Sequence, residues 1–240
     1  MHGYVYIVES PSAADLFDGR TEGAALCETF KLSSLPHSYC LAADIEQFRR
    51  AFVLEPGSPF TEAFAKHSSG PPIVHLSMHG NTDGIALTSG QLVSWEDLRE
   101  ILSPINNALP DGLMVTFSTC GGAASIRMSM SEDVNHKPFY ATIGSIKDVG
   151  WKDALIAYSV FYHNWFNGVP ASRCVELMNI ASGFYGFAAY SGREQKQQYI
   201  EYANRQRVIE ALMNRGKPSM FGSLSVPTPD LSTIPPYQGS

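Results

Sequence analysis

Ile73-Val74-His75-Leu76-Ser77-Met78-His79-Gly80 and Leu113-Met114-Val115-Thr116-Phe117-Ser118-Thr119-Cys120-Gly121-Gly122 are the two stretches that decide the fold. Each is a short apolar run ended by glycine, of the kind that forms a strand buried inside a parallel sheet. Between them, Ser94 and Asp97 match a capping box. Leu98, Ile101, Leu102 and Ile105 then supply the buried stripe of a helix. A strand–helix–strand unit sets its strands parallel, so both carboxyl ends leave the sheet at one edge. Open α/β sheets place their ligands at that edge. Adjacent strands lie about 4.8 Å apart, so a His and a Cys at neighbouring strand ends can cooperate. A thiol nucleophile needs such an imidazole to handle its proton.

Outward from this unit the chain alternates strands and helices. Tyr4 to Glu9 reads as a strand, Ser10 to Gly19 as a loop of small and acidic residues, and Thr21 to Leu32 as a helix. Ser38 to Ala42 and Ala43 to Phe52 read as a second strand and helix, and Glu55 to Pro72 as a loop with a helical turn around Thr61 to Lys66. A small hairpin is expected where Ile85-Ala86-Leu87 faces Gln91-Leu92-Val93. Gly121 to Pro138 reads as a mobile loop and Phe139 to Gly144 as the next strand. Leu155, Tyr158, Tyr162 and Trp165 follow helical spacing up to Gly168 and Pro170. A further helix (Ala171 to Ala181), a strand (Phe187 to Tyr190) and a polar helix (Arg193 to Asn214) follow. In that last helix Tyr199, Tyr202, Ile209 and Met213 share a side. The expected architecture is an α/β three-layer sandwich with a mostly parallel sheet. It divides into a main domain over residues 1–192 and a C-terminal helix with a proline-rich tail over 193–240, packed on the same body.

Composition narrows the function classes. The 240 residues are 44% hydrophobic and 17% charged, which suits a buried core rather than disorder. A net charge of −6 without a basic run argues against nucleic acid. No apolar stretch reaches membrane-span length. The opening Met1 to Glu9 reads as a strand of the fold rather than a signal peptide. Cys27, Cys40, Cys120 and Cys174 are scattered, with no CxxC pair, so neither a disulfide framework nor zinc is expected. A reducing cytoplasm fits a free reactive thiol.

The two blocks together resemble the caspase-like cysteine peptidases, a group that includes caspases, metacaspases, legumain, separase and bacterial CHAT-domain proteases. Val74 to Ile85 is similar to their histidine block, Val115 to Gly122 to their cysteine block, and the spacing of 41 residues is close to theirs. Two weaker echoes are Asp18 to Gly23, similar to a loop that carries a specificity arginine in caspases, and Tyr140 to Ser145, similar to the strand walling the primary specificity pocket. Gly121-Gly122 departs from the Arg-Gly of caspases and is nearer the bacterial members.

The resemblance implies a cysteine endopeptidase with Cys120 as nucleophile, passing through a thioester, and His79 as the acid–base. The backbone N–H groups of Gly80 and Cys120 would bind the oxyanion. No strict third member is implied; Asp83 would either polarise the site or serve as a turn residue beside Gly84. Trp151 would be an apolar wall of the site or part of the core. Arg20 suggests an acidic P1 side chain or is an exposed arginine near a helix start. Asp148 suggests a basic P1 or is a loop carboxylate, and Ser145 belongs to the same pocket wall. No cofactor is implied. The partners expected are a protein or peptide substrate and an activating protein or small ligand. The oligomeric state stays open, a homodimer included. Gly121 to Pro138, with Ser131-Glu132-Asp133-Val134, is the candidate activation segment. The resemblance to small bacterial members suggests a role in regulated cell death or antiviral defence, which the residues themselves do not show. The rival classes are a ligand-sensing or scaffolding domain on the same fold, and a hydrolase of small amides.

Overall fold

The computed structural model describes residues 3–67 and 70–214. Its elements in chain order are β1 (Tyr4–Ser10), α1 (Ala13–Phe17), α2 (Glu22–Leu32), β2 (His37–Leu41), α3 (Ile45–Arg50), α4 (Pro59–Lys66), β3 (Pro72–Gly80), β4 (Gly84–Ala86), β5 (Leu92–Ser94), α5 (Trp95–Ala108), β6 (Met114–Ser118), a 3₁₀ segment (Gly122–Ser129), β7 (Ala141–Ser145), α6 (Trp151–Phe166), α7 (Ala171–Ser182), β8 (Phe187–Ser191) and α8 (Gly192–Asn214). The central strands run in the order β2-β1-β3-β6-β7-β8. All neighbours are parallel except β7 and β8. The β4–β5 hairpin extends β3 beyond the sheet.

Alternation along each strand sorts the core into two layers. Val5, Ile7, Ile73 and Met114 face α2, α6 and α7, whereas Tyr6, Val8, Val74, Leu76, Met78 and Phe117 face α3, α4 and α5. The expected α/β sandwich with helices on both faces is what the chain forms. The helix between the two decisive strands also starts as its sequence predicts. Ser94 Oγ accepts from the Asp97 N–H at 3.1 Å, and Leu98, Leu102 and Ile105 are buried.

Two expectations need correction. The segment Ser10 to Gly19 is not all loop: it holds α1, whose N-cap Ser12 accepts from the Asp15 N–H at 3.1 Å. Gly121 to Pro138 is not a loop throughout. Gly122–Ser129 winds into a 3₁₀ segment with Ala123, Ala124, Ile126 and Met128 buried, so it is core rather than a free strap. In α8, Gly192, Gln195 and Ala203 are buried, while Ile209 and Met213 are exposed. The first half of α8 lies against the 3₁₀ segment and β8. The tail from 215 lies outside the described residues.

The following strand β7 makes the 3₁₀ segment's position possible. A Cβ on Gly144 would stand 2.5 Å from the Gly122 carbonyl carbon and 2.8 Å from Ala123 N. Gly121 takes φ +64, a conformation glycine adopts at little cost. The chain therefore turns immediately after Cys120 and passes flush against β7.

Candidate active site

Side-chain alternation places His75, Ser77 and His79 of β3, and Thr116, Ser118 and Cys120 at the end of β6, on the α2/α6 face. They are out of phase with Val74, Leu76, Met78, Val115 and Phe117 on the other. The last paired residues of the two strands are Ser77 and Ser118. His79 and Cys120 each stand two positions further on, so they occupy equivalent places at the carboxyl edge. The structure thus brings together the two residues that the sequence singled out, on adjacent parallel strands and on one face.

His79 is held by a residue that the sequence analysis did not single out. Its Nε2 lies 2.5 Å from Asp15 Oδ2. Asp15 is a buried carboxylate at the start of α1, and its other oxygen accepts from Trp151 Nε1–H at 3.3 Å. Ser12 Oγ donates to Oδ2 at 2.5 Å. Desolvation pushes the Asp15 carboxyl up, but the hydrogen bonds from Ser12, His79 and Trp151 and the histidine's charge outweigh it, leaving a pKa of about 2. Trp151 opens α6 and packs edge-on against the imidazole, with ring centroids 5.1 Å apart. It is a wall of the site rather than core. The signal for Asp15 was legible: Ser12-Ala13-Ala14-Asp15 has the same spacing as the Ser94–Asp97 cap.

Cys120 is half-buried, and its Sγ–H faces the Val149 carbonyl at 3.7 Å. The segment between β7 and α6 therefore runs along the thiol, and Lys147 O accepts from Gly121 N–H at 3.5 Å. Asp148 lies in this segment, exposed and without an ion pair among the described residues. Ser145 is buried, with its hydroxyl donated to Lys147 O at 2.7 Å, so it shapes the same segment from within. Arg20 sits beside Asp15, 3.5 Å from its Oδ1, and also pairs with Asp18. Asp83 pairs with Arg127 at 3.5 Å and takes part in the turn before β4, so it is not the histidine's partner. At Gly80 a Cβ would run into Thr119 Oγ1 and stand 2.8 Å from Gly84 O. The close approach of the β6 terminus requires glycine there.

Beneath the pair lies a buried polar layer. The registers set Glu9, Ser77 and Ser118 side by side in one row. Glu9 accepts from the first turn of α2, at 2.7 Å from Gly23 N–H and 3.1 Å from Ala24 N–H, and from Tyr39 OH at 2.7 Å. Burial nonetheless pushes its carboxyl up. One row lower, His75 contacts Thr116 and Tyr162 at 2.9 Å each and Glu22 at 3.3 Å, wholly out of solvent. His75 belongs to this packed network rather than to the exposed edge. Glu9 ties α2 to β1, the two elements on either side of α1 and Asp15. No group of residues suited to a metal occurs among the described residues, and no helix there is long and apolar enough to cross a membrane.

No family model and no curated protein matches the chain. Among solved structures, it is similar to a secreted C11 cysteine protease from Bacteroides thetaiotaomicron in complex with an irreversible peptide inhibitor. The TM-score is 0.52 at 11% identity, over 81% of this chain and 68% of that one. This chain shares that protease's fold. Gingipain R, an Arg specific cysteine proteinase, gives a TM-score of 0.43 at 11% identity, over 74% of this chain and 41% of that one. At such identity the likeness concerns the fold, and the chemistry rests on the side chains already described.

Proposed function

We propose that the protein is a cysteine endopeptidase. The observation that carries this is His79 anchored by a buried carboxylate at the same level as Cys120 on the next strand. In this mechanism the Cys120 thiol gives its proton to His79 and attacks the scissile carbonyl. The tetrahedral oxyanion rests on the N–H groups of Cys120 and Gly80. His79 passes the proton to the leaving amine, a thioester forms, and His79 then takes a proton from the water that hydrolyses it. Asp15 is a positioning residue: it holds the ring and favours the imidazolium that forms twice per cycle. With Arg20 engaged by Asp15 and Asp18, Asp148 is the carboxylate left to receive substrate charge beside the thiol. The P1 side chain is therefore basic.

The test is incubation of wild type and Cys120→Ala with a proteome-derived peptide library, with cut sites read by mass spectrometry. Cleavage after Lys or Arg by wild type alone is expected, lost in Asp148→Ala on basic but not on neutral P1 substrates. Cleavage surviving in Cys120→Ala, or none by either protein under any condition, would sink the proposal.

A further inference from the structure

Among the described residues β2 is an edge of the sheet, with β1 as its one neighbour. Val5 N–H donates to Pro36 O and Ala42 N–H to Glu9 O, so residues 36, 38, 40 and 42 turn their peptide groups toward β1. By the strand's period of two, His37, Tyr39 and Leu41 turn theirs outward. His67 Nε2, 3.0 Å from His37 O, closes the edge at its start. Among the described residues no hydrogen bond takes the Tyr39 N–H, the Tyr39 C=O or the Leu41 N–H. Proteins usually blunt such an edge with charge, proline or a covering element.

Here the edge is instead the floor of a slot. A cavity of about 540 Å³ opens along its first part, at His37, Ser38 and Tyr39, just before Leu41, walled by Cys27, Glu28 and Lys31 of α2 on one face and Glu62, Ala63 and Lys66 of α4 on the other. An extended chain takes roughly 4.8 Å across, about 10 Å between faces and about 3.4 Å per residue. The slot therefore accepts about three residues of one strand. Walls on both faces suit a lone strand better than a second copy of the chain, which would bring its own α2 and α4 against them. Lys31 is already paired with Glu28 at 2.6 Å, whereas Glu62 and Lys66, one turn apart, have no ion pair among the described residues.

We infer that this slot binds an extended peptide segment as an added strand on β2, with an acidic side chain of the peptide at Lys66 and a basic one at Glu62. Main-chain bonds to Tyr39 and Leu41 supply the pairing, and the charged wall supplies selectivity. The site lies on the far side of β1 from β3, apart from the His79–Cys120 edge. It would hold a partner, or a distal part of a substrate, whether or not the protein cleaves.

Cys120→Ala protein, which lacks the proposed nucleophile, is the bait for selecting from a phage-displayed library of random short peptides. Enriched peptides are synthesised, and amide hydrogen exchange locates them. The expected result is slowed exchange at Tyr39 and Leu41, with binding about tenfold weaker to Leu41→Pro. That proline removes an N–H that no bond among the described residues uses, at an edge position where proline is tolerated. Exchanging the wall charges (Glu62→Lys with Lys66→Glu) should reverse the charge order of the selected peptides, and it carries the test if Leu41→Pro does not fold. No enrichment, protection at His79 and Cys120 instead, or unchanged affinity for these variants would overturn the inference. So would protection of Tyr39 and Leu41 that rises with protein concentration alone, which would assign the edge to a second copy.

Discussion

Replacing Asp15 with asparagine keeps the shape of the side chain and removes the charge that holds His79. The carboxylate accepts from Ser12 Oγ and His79 Nε2 at 2.5 Å and from Trp151 Nε1 at 3.3 Å. An amide oxygen can still accept from Trp151, but the charge-assisted bond to the imidazole is lost. Hydrogen bonds to charged groups contribute about 1.5–3 kcal/mol. If that loss falls on the imidazolium formed in the transition state, kcat drops by roughly 10 to 150-fold. Asp15 touches the histidine rather than the peptide, so KM should hold. Stability falls as well. The gap between the ordinary carboxyl at 3.8 and about 2 in the fold is worth about 2 kcal/mol. For a chain of this size that lowers the melting temperature by about 4–8 °C. The assay is kcat and KM on a fluorogenic peptide with basic P1, with thermal melting of the same samples. A kcat within about threefold of wild type, or a raised KM with kcat intact, would refute the assignment of Asp15 as the residue that positions His79.

Other outcomes follow from the same geometry. Because Asp15 is depressed in the fold, its stabilisation is fully present above the unfolded carboxyl's range. It is lost as pH falls from about 4 through about 2. Acid melting of wild type should show this limb, and Asp15→Asn should lack it; parallel curves for the two proteins would contradict the linkage. Gly144→Ala puts a methyl 2.5 Å from the backbone of Gly122, so it should cost about 1–3 kcal/mol and displace the turn after Cys120. Denaturant unfolding and thiol accessibility both read that change, and an unaffected midpoint would count against the packing described. Burial pushes the Cys27 and Cys174 thiols up to about 11. Brief iodoacetamide treatment of the native protein at neutral pH should therefore mark half-buried Cys120 well before either. Peptide mapping decides, and equal labelling of all three would argue against a distinct reactive thiol.

Periodicity and composition determined a good deal of this protein. The buried strands β3 and β6, the Ser94 cap, the stripe of α5 and the glycines after His79 and Cys120 were all readable locally, because each depends on neighbours within a few residues. From them came the parallel sheet, the carboxyl edge and the two residues meeting there. What the sequence read as a loop at Ser10 to Gly19 became α1, and with it Asp15 as the partner of His79. The capping pattern was present, but a five-residue helix has almost no stability of its own. Only docking against His79 and Trp151 gives that turn its purpose. Residues Gly122–Ser129 looked like a mobile loop because small and polar residues dominate, yet β7 and α8 bury them. For Arg20 and for Asp148 the sequence left a specificity role and a plain surface role open. Tertiary structure adds their surroundings: Arg20 stands beside two carboxylates, and Asp148 is exposed, one residue from the thiol's carbonyl partner. Contacts between residues distant in the chain, such as Asp15 with Trp151, depend on how the strands order themselves across the sheet. No local pattern encodes that order, and so the tertiary structure alone decided them.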